Sequence, residues 1–283
     1  MFAKQRSKGG KTMNCLRQSF RRAVCGLSAM ALLTACGGGG GSLADTLGIG
    51  PSTSTPVTQY NLVSQPSASW SFDSVVGSTV TNTGFAGWDI QLNSASIAPG
   101  KVGNAAAFDD SLAQSYGVIE TPVISGNTMT FADNRISIAL WLKPTKVAPS
   151  SQYLLLGGSP SIGFKSIFLW IIDGKVRFEM QPVNGGFQRD PIIQSTSAVP
   201  PGVWTHIAVT YDGATAKVYF NGTVDSSNAI SHGIPTPNNR IYIGGAAVSE
   251  GGPLTFPGQI DELQLKASTL NPEQVTALAN LPP

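Results

Sequence analysis

The stretch Trp204-Thr205-His206-Ile207-Ala208-Val209-Thr210-Tyr211-Asp212-Gly213-Ala214-Thr215-Ala216-Lys217-Val218-Tyr219-Phe220-Asn221-Gly222 decides the fold. It reads as a hairpin. Side chains alternate faces along a strand, so Thr205, Ile207, Val209 and Tyr211 point one way, and Trp204, His206, Ala208 and Thr210 the other. Both faces carry apolar bulk. Asp212-Gly213-Ala214-Thr215 supplies the turn, with Gly213 free to take positive φ, and Val218 and Phe220 alternate with Lys217, Tyr219 and Asn221 on the return arm, which Asn221-Gly222 ends. A strand apolar on one face and half-apolar on the other belongs inside a stacked pair of sheets.

Working outward, short apolar runs broken by Gly, Pro, Asn and Asp begin at Ser67 and predict many short strands. They fall at Ala68 to Asp73, Ala105 to Asp109, Tyr116 to Glu120, Ile136 to Lys143, Tyr153 to Leu156, Ile167 to Ile172, Lys175 to Met180, Arg240 to Ile243 and Gly258 to Lys266. Asp173-Gly174 predicts a two-residue hairpin turn. Near the end, Asn271-Pro272-Glu273-Gln274 sets a cap, a first-turn proline and a third-position glutamine before Val275, Leu278 and Ala279, which predicts one short helix.

The hairpin residues, with Trp70-Ser71-Phe72-Asp73, Gly100-Lys101-Val102-Gly103-Asn104-Ala105, Ile136 to Pro144 and Gly258-Gln259-Ile260-Asp261-Glu262-Leu263, resemble laminin-G-like, concanavalin A-like domains in order and spacing. The resemblance covers about residues 67 to 280. It implies an all-β fold, a two-sheet antiparallel jelly-roll sandwich, here with the one short C-terminal helix. Sandwiches of this kind host lectins, adhesins, enzyme appendages and enzymes, so the function must be argued from sites.

Three segments follow from composition: residues 1–35 as an export signal, 36–66 as a linker, and 67–283 as the jelly-roll domain. The signal has a basic start (Lys4, Arg6, Lys8, Lys11, Arg17, Arg21, Arg22), an apolar stretch from Ala23 to Leu33 that is too short to span a bilayer, and small residues before a cut. Met13 would also start a signal of ordinary length. Leu33-Thr34-Ala35-Cys36 resembles the lipobox of bacterial lipoproteins, which implies cleavage before Cys36 and a diacylglycerol on its sulfur. A chance cysteine beside an ordinary cleavage site is the other reading; residue types, position and the following linker all favour the lipobox. Two or three acyl chains hold a protein to a membrane where one does not. Gly37 stands where an aspartate is associated in that family with inner-membrane retention, so the expected address is the cell envelope and, if the source is Gram-negative, its outer membrane.

The linker, five glycines followed by Ser, Thr and Pro, has a coil reach of about 30 Å. Cys15 and Cys25 leave with the signal, so the globular part has no cysteine and no thiol chemistry. Loss of the signal also removes seven basic residues and leaves a net charge of about −5, which argues against nucleic acid as a partner.

Little points to catalysis. No two acidic residues stand at i and i+2, the spacing that sets paired glycosidase carboxylates on one strand face. Asp261 and Glu262 are adjacent, so within a regular strand they face opposite ways. No Gly-x-Ser-x-Gly elbow is present, and His206 and His232 are the only histidines. His206, inside the central strand, reads as a hydrogen-bonded structural residue. The expectation is a non-enzymatic protein.

The resemblance implies a structural Ca²⁺ held between a first-strand aspartate and the acidic pair of the last strand, here Asp73 and Asp261. The Asp-x-Ser-Gly-Asn motif usual after the first strand is replaced by Thr81-Asn82-Thr83-Gly84-Phe85. The same two aspartates read equally as caps that accept loop N–H bonds. Ligand contacts are expected on Gly-rich loops carrying Phe164, Phe187 with Arg189, and Phe256, where aromatic rings could stack on sugar faces. The plainer reading packs each phenylalanine under its own loop. Trp70, Trp141 and Trp204 read as packing residues, and Trp88 and Trp170 as either. The functional expectation is a surface-anchored module that binds a glycan or a protein partner. The alternatives are a structural or assembly lipoprotein with no small ligand, and a carbohydrate-active enzyme.

Overall fold

The central hairpin forms as β13 (Thr205–Tyr211) and β14 (Thr215–Phe220). Its turn is tied by Asp212, whose Oδ1 accepts from the N–H groups of Ala214 at 2.9 Å and Thr215 at 2.6 Å, while Gly213 takes φ +95°. Every β13 residue is buried. Ile207, Val209 and Tyr211 enter the main core, and Ala208 turns to the other side against Ala139, Tyr219, Leu270 and Val275. The half-apolar second face is therefore buried too, beneath the C-terminal helix.

The computed structural model describes residues 67–84, 88–112, 114–120, 133–147, 151–157, 167–181, 190–235, 240–247 and 255–282. The export signal, Cys36, the linker, Phe164, Phe187 and Arg189 lie outside them. All described residues fall in the compact unit Tyr60–Pro283.

Two antiparallel sheets face each other. The smaller runs β15 (Thr223–Ala229), β14, β13, β8 (Ile136–Pro144), β17 (Gly258–Lys266), β6 (Asn104–Phe108) and β5 (Ser96–Pro99), with β1 (Ser67–Trp70) also on β17. The larger runs β12 (Asp190–Ala198), β11 (Lys175–Met180), β10 (Ile167–Ile172), β9 (Gln152–Gly157), β16 (Arg240–Ile243), β7 (Tyr116–Glu120), β4 (Ile90–Asn93), β3 (Thr79–Val80) and β2 (Val75–Val76). Between them lies one continuous core, with Trp70, Phe72, Leu140, Leu169, Phe178 and Tyr211 almost inaccessible to water. Trp70 Nε1 donates to the Trp88 carbonyl at 2.7 Å, which satisfies its buried polar atom.

The edge of β17 is shared by two partners. Ile260 pairs with Ala106 of β6, and Leu263 pairs with Trp70 of β1. At the junction β17 bulges between Asp261 and Gln264, with Glu262 at φ +49°. The expected first strand, Ala68 to Asp73, ends early at Trp70 because Phe72 takes φ +62° and turns the chain out of the ladder. This junction is where the acidic residues gather.

Helix α1 (Pro272–Ala279) starts as the sequence predicts. Asn271 Oδ1 accepts from Gln274 N–H at 2.8 Å, and Gln274 Oε1 accepts from Asn271 N–H at 2.9 Å, a reciprocal capping box. Asn271→Ala is expected to cost about 1 kcal/mol, or about 2–4 °C in Tm, with Asn271→Ser close to wild type, as read by thermal unfolding. Equal melting of all three proteins would show that packing of Val275 and Leu270 alone holds the helix.

Candidate functional site

Three segments meet at the β17 junction: Asp73 just after β1, the loop 100–103 just before β6, and Asp261-Glu262 in the bulge. Asp261 is fully buried. Its Oδ2 accepts from the N–H groups of Lys101 at 2.9 Å and Val102 at 3.0 Å, and its Oδ1 from Glu262 N–H at 2.8 Å. Asp73, exposed, accepts from Asn104 N–H at 2.7 Å. The reading of both aspartates as acceptors of loop N–H bonds is thus what the geometry displays. Glycines permit the closure: a Cβ on Gly100 would stand 2.6 Å from Asp261 Oδ2, and one on Gly103 would strike the Asp73 carboxylate.

Glu262 is the residue that sequence reasoning missed. Alternation along a regular strand separates neighbours, and the bulge removes that alternation, so Glu262 feels the charges of both Asp261 and Asp73. Burial, followed by those two charges, pushes Glu262 up to about 7. Asp261 is pushed up to about 6, chiefly by burial; its three N–H bonds oppose the shift and Asp73 adds to it. A glycine in the bulge would have signalled it, and this chain has none there.

The donor chemistry of the corner fits a hard cation such as Ca²⁺. It is oxygen only and negatively charged, and no ion pair with Lys or Arg joins Asp73, Asp261 or Glu262 among the described residues. No three His, Cys, Asp or Glu side chains form a ready cage among the described residues, so an ion here needs backbone carbonyls or water as further ligands.

Phe256, expected at a ligand surface, is instead fully buried in the main core. Gly258, two residues on, has no room for a Cβ beside its ring, which shows how tightly the phenylalanine is packed. Trp88 also lies in the main core. Trp170 belongs to a second aromatic layer on the outward face of the larger sheet, with Tyr116, Tyr153, Phe168 and Tyr242. Its ring stacks on Tyr153 at 5.2 Å and 9°. Each of the five is under 9% exposed, and Ala246 and Ala247 pack against them, so the layer is a second small core and not an open stacking surface. His206 is structural, but through packing: its ring meets Trp141 edge-on at 5.4 Å, its Nδ1 has no hydrogen-bond partner among the described residues, and burial lowers its pKa to about 4.

The comparisons with known proteins agree with this architecture. A laminin-G family model, described as the concanavalin A-like lectin/glucanases superfamily, matches residues 115–276. Domain 4 of AbnA, an extracellular GH43 arabinanase from Geobacillus stearothermophilus solved in complex with arabinotriose, is 26% identical with a TM-score of 0.56. The match covers 75% of this chain and 97% of that domain. The binding domain of botulinum neurotoxin serotype G is 14% identical with a TM-score of 0.56, and Trypanosoma rangeli sialidase in complex with 2,3-difluorosialic acid is 19% identical with a TM-score of 0.54. The match spans 75% of this chain in each case, but only 50% of the toxin chain and 32% of the sialidase, and these two show the fold alone. No curated protein sequence matches the chain. With more than half of its residues matched by the family model and its strands laid out in two facing antiparallel sheets, the chain belongs to the concanavalin A-like lectin/glucanase superfamily.

Proposed function

We propose that the chain is a non-enzymatic glycan-binding module, tethered to the bacterial envelope through an acylated Cys36 and a Gly-rich linker. The observation that carries the glycan reading is the match to nearly the whole of a domain solved with arabinotriose, at 26% identity. A module is the right unit for this function: the sandwich presents loops and edges at fixed positions, and its cysteine-free core needs no catalytic group to bind. Asp73 and Asp261 are proposed to hold a structural Ca²⁺, with backbone carbonyls or water completing its ligands. Its chemistry there would be to neutralise the corner's carboxylates and fix the loop between β5 and β6. The lipid anchor and the outer-membrane address rest on Leu33-Thr34-Ala35-Cys36 and on Gly37.

Native gels cast with arabinan, xylan or β-glucan test the reading. The full chain is expected to be retarded by at least one polysaccharide while releasing no new reducing ends from it. Release of reducing ends that stops in Glu262→Gln would make the protein an enzyme. Unretarded migration in every gel would leave a protein partner or a structural role in its place.

A further inference from the structure

The edge strands β12 and β15 belong to different sheets, and no backbone ladder joins them. They are stitched by side chains at two points. Asp225 Oδ2 and Oδ1 accept from the N–H groups of Thr196 at 2.6 Å and Ser197 at 3.0 Å, and Asn228 Nδ2 donates to the Ile192 carbonyl at 2.7 Å. Between the stitches the seam opens into a cleft of 390 Å³. That volume is at the small end of the range for ligand sites, roughly 300–1,000 Å³.

Its lining is specific. Gln194 stands on the β12 side, and Ser226, Ser227 and Asn228 on the β15 side, with Ile192 and Ile193 behind them. Carboxamides and hydroxyls supply both donors and acceptors, the complement of a sugar's adjacent hydroxyls, and exposed Pro191 offers an apolar surface to its C–H face, the isoleucines being buried in the core beneath. Arg177 closes one end, and its Nε lies 2.6 Å from Glu179 Oε1, so its charge is already balanced. A neutral ligand is favoured over an acidic one. A peptide strand suits the place poorly, because strand addition needs a continuous free edge and the Asp225 and Asn228 bonds already occupy β12 on either side of the opening.

We infer that the β12–β15 cleft is a seat for one or two sugar rings of a neutral oligosaccharide, with Gln194 and Asn228 fixing hydroxyl groups. This rests on the glycan reading above and assigns it a place away from the acidic corner. The test is calorimetric titration of the full chain with arabinotriose, xylotriose and cellotriose, repeated on Ser227→Trp, Gln194→Ala and, as a control at an exposed position of β4, Gln91→Ala. Ser227 and Gln194 are exposed, so both changes should fold, and Tm is measured for each. Binding of at least one probe is expected, weakened about tenfold by Gln194→Ala, abolished by Ser227→Trp and unchanged by Gln91→Ala. Should Ser227→Trp not fold, Gln194→Ala decides. Binding by wild type that both cleft variants retain in full overturns the cleft and leaves the glycan reading standing. No binding of any probe by wild type overturns both.

Discussion

In chelator, raising the pH from about 4 to about 8 is expected to lower the midpoint of thermal unfolding further in wild type than in Glu262→Gln, by about 2–4 °C. The cause is the acidic corner. In the unfolded chain Asp261 and Glu262 titrate near the ordinary carboxylate values, whereas in the fold burial and mutual repulsion hold them at about 6 and about 7. Between those limits the folded state carries more protons than the unfolded one, and stability therefore falls as pH rises. The contribution is fully present below about pH 4 and is lost as pH passes through about 6 and then about 7. Discounted for solvent access and for the coupling between the two groups, it is about 2 kcal/mol in all. His206, held at about 4 by burial, works the other way over the same range but equally in wild type and variant; Asp212 and Asp225, whose accepted N–H bonds leave them below the usual range, share that opposite sign and weaken the fold only at more acid pH. Melts of wild type and of Glu262→Gln across this range check the account. The variant should lose less stability than wild type, or gain more, as pH rises through about 7, and identical profiles would place the effect of the corner elsewhere.

Gly103→Ala should destabilise the corner by about 2–3 kcal/mol. Gly103 sits at φ +53°, where an L side chain costs roughly 1–2 kcal/mol, and the new Cβ would strike the Asp73 carboxylate. Asp73 must then swing away and release the Asn104 N–H, a bond that contributes about 1 kcal/mol. Gly202→Ala is the comparison. Its φ is also positive, at +75°, but nothing lies within 4 Å of the added carbon, so only the backbone term remains. Urea denaturation should separate the two by about 1 kcal/mol, and equal losses would mean that Asp73 does not depend on the closeness of the loop.

The hairpin was legible because pattern and turn chemistry agree there: alternating residues from Thr205 to Tyr211, and an Asp-Gly turn whose side chain caps its own backbone. The same agreement gave β7, β10, β11, β16 and β17 and the capping box of α1. What escaped is instructive. β15, Thr-Val-Asp-Ser-Ser-Asn-Ala, has no apolar face because it is a largely exposed edge, although Asn221-Gly222 ahead of it, at φ +48° and +86°, is a two-residue hairpin turn. β12 was lost among residues that follow a long loop, and β2 and β3 are only two residues each. At the acidic corner the family resemblance pointed to Asp73 and Asp261, but Glu262 depends on a bulge, and a bulge follows from which strands share an edge. The cleft was equally invisible. It is made by the approach of two sheet edges, neither of which the sequence pattern marks as a strand.

Phe256 carries a second lesson. A phenylalanine in a glycine-rich loop is consistent with a ligand contact and with burial, and the crowding around Gly258 decides for burial. The second aromatic layer likewise joins five rings from β7, β9, β10 and β16 that no single stretch of sequence brings together.

The central claim, that this domain binds glycan, is tested most directly by the thermal midpoint of the full chain at saturating arabinotriose, with Ca²⁺ present throughout. A ligand that binds only the folded state raises the midpoint by mass action, by about 2.7 kcal/mol of stability at a hundred times its Kd. The account predicts a saturable rise of several degrees with arabinotriose or with one of the other neutral trisaccharides. A midpoint that stays fixed for every sugar, in a protein that melts cooperatively, would contradict it.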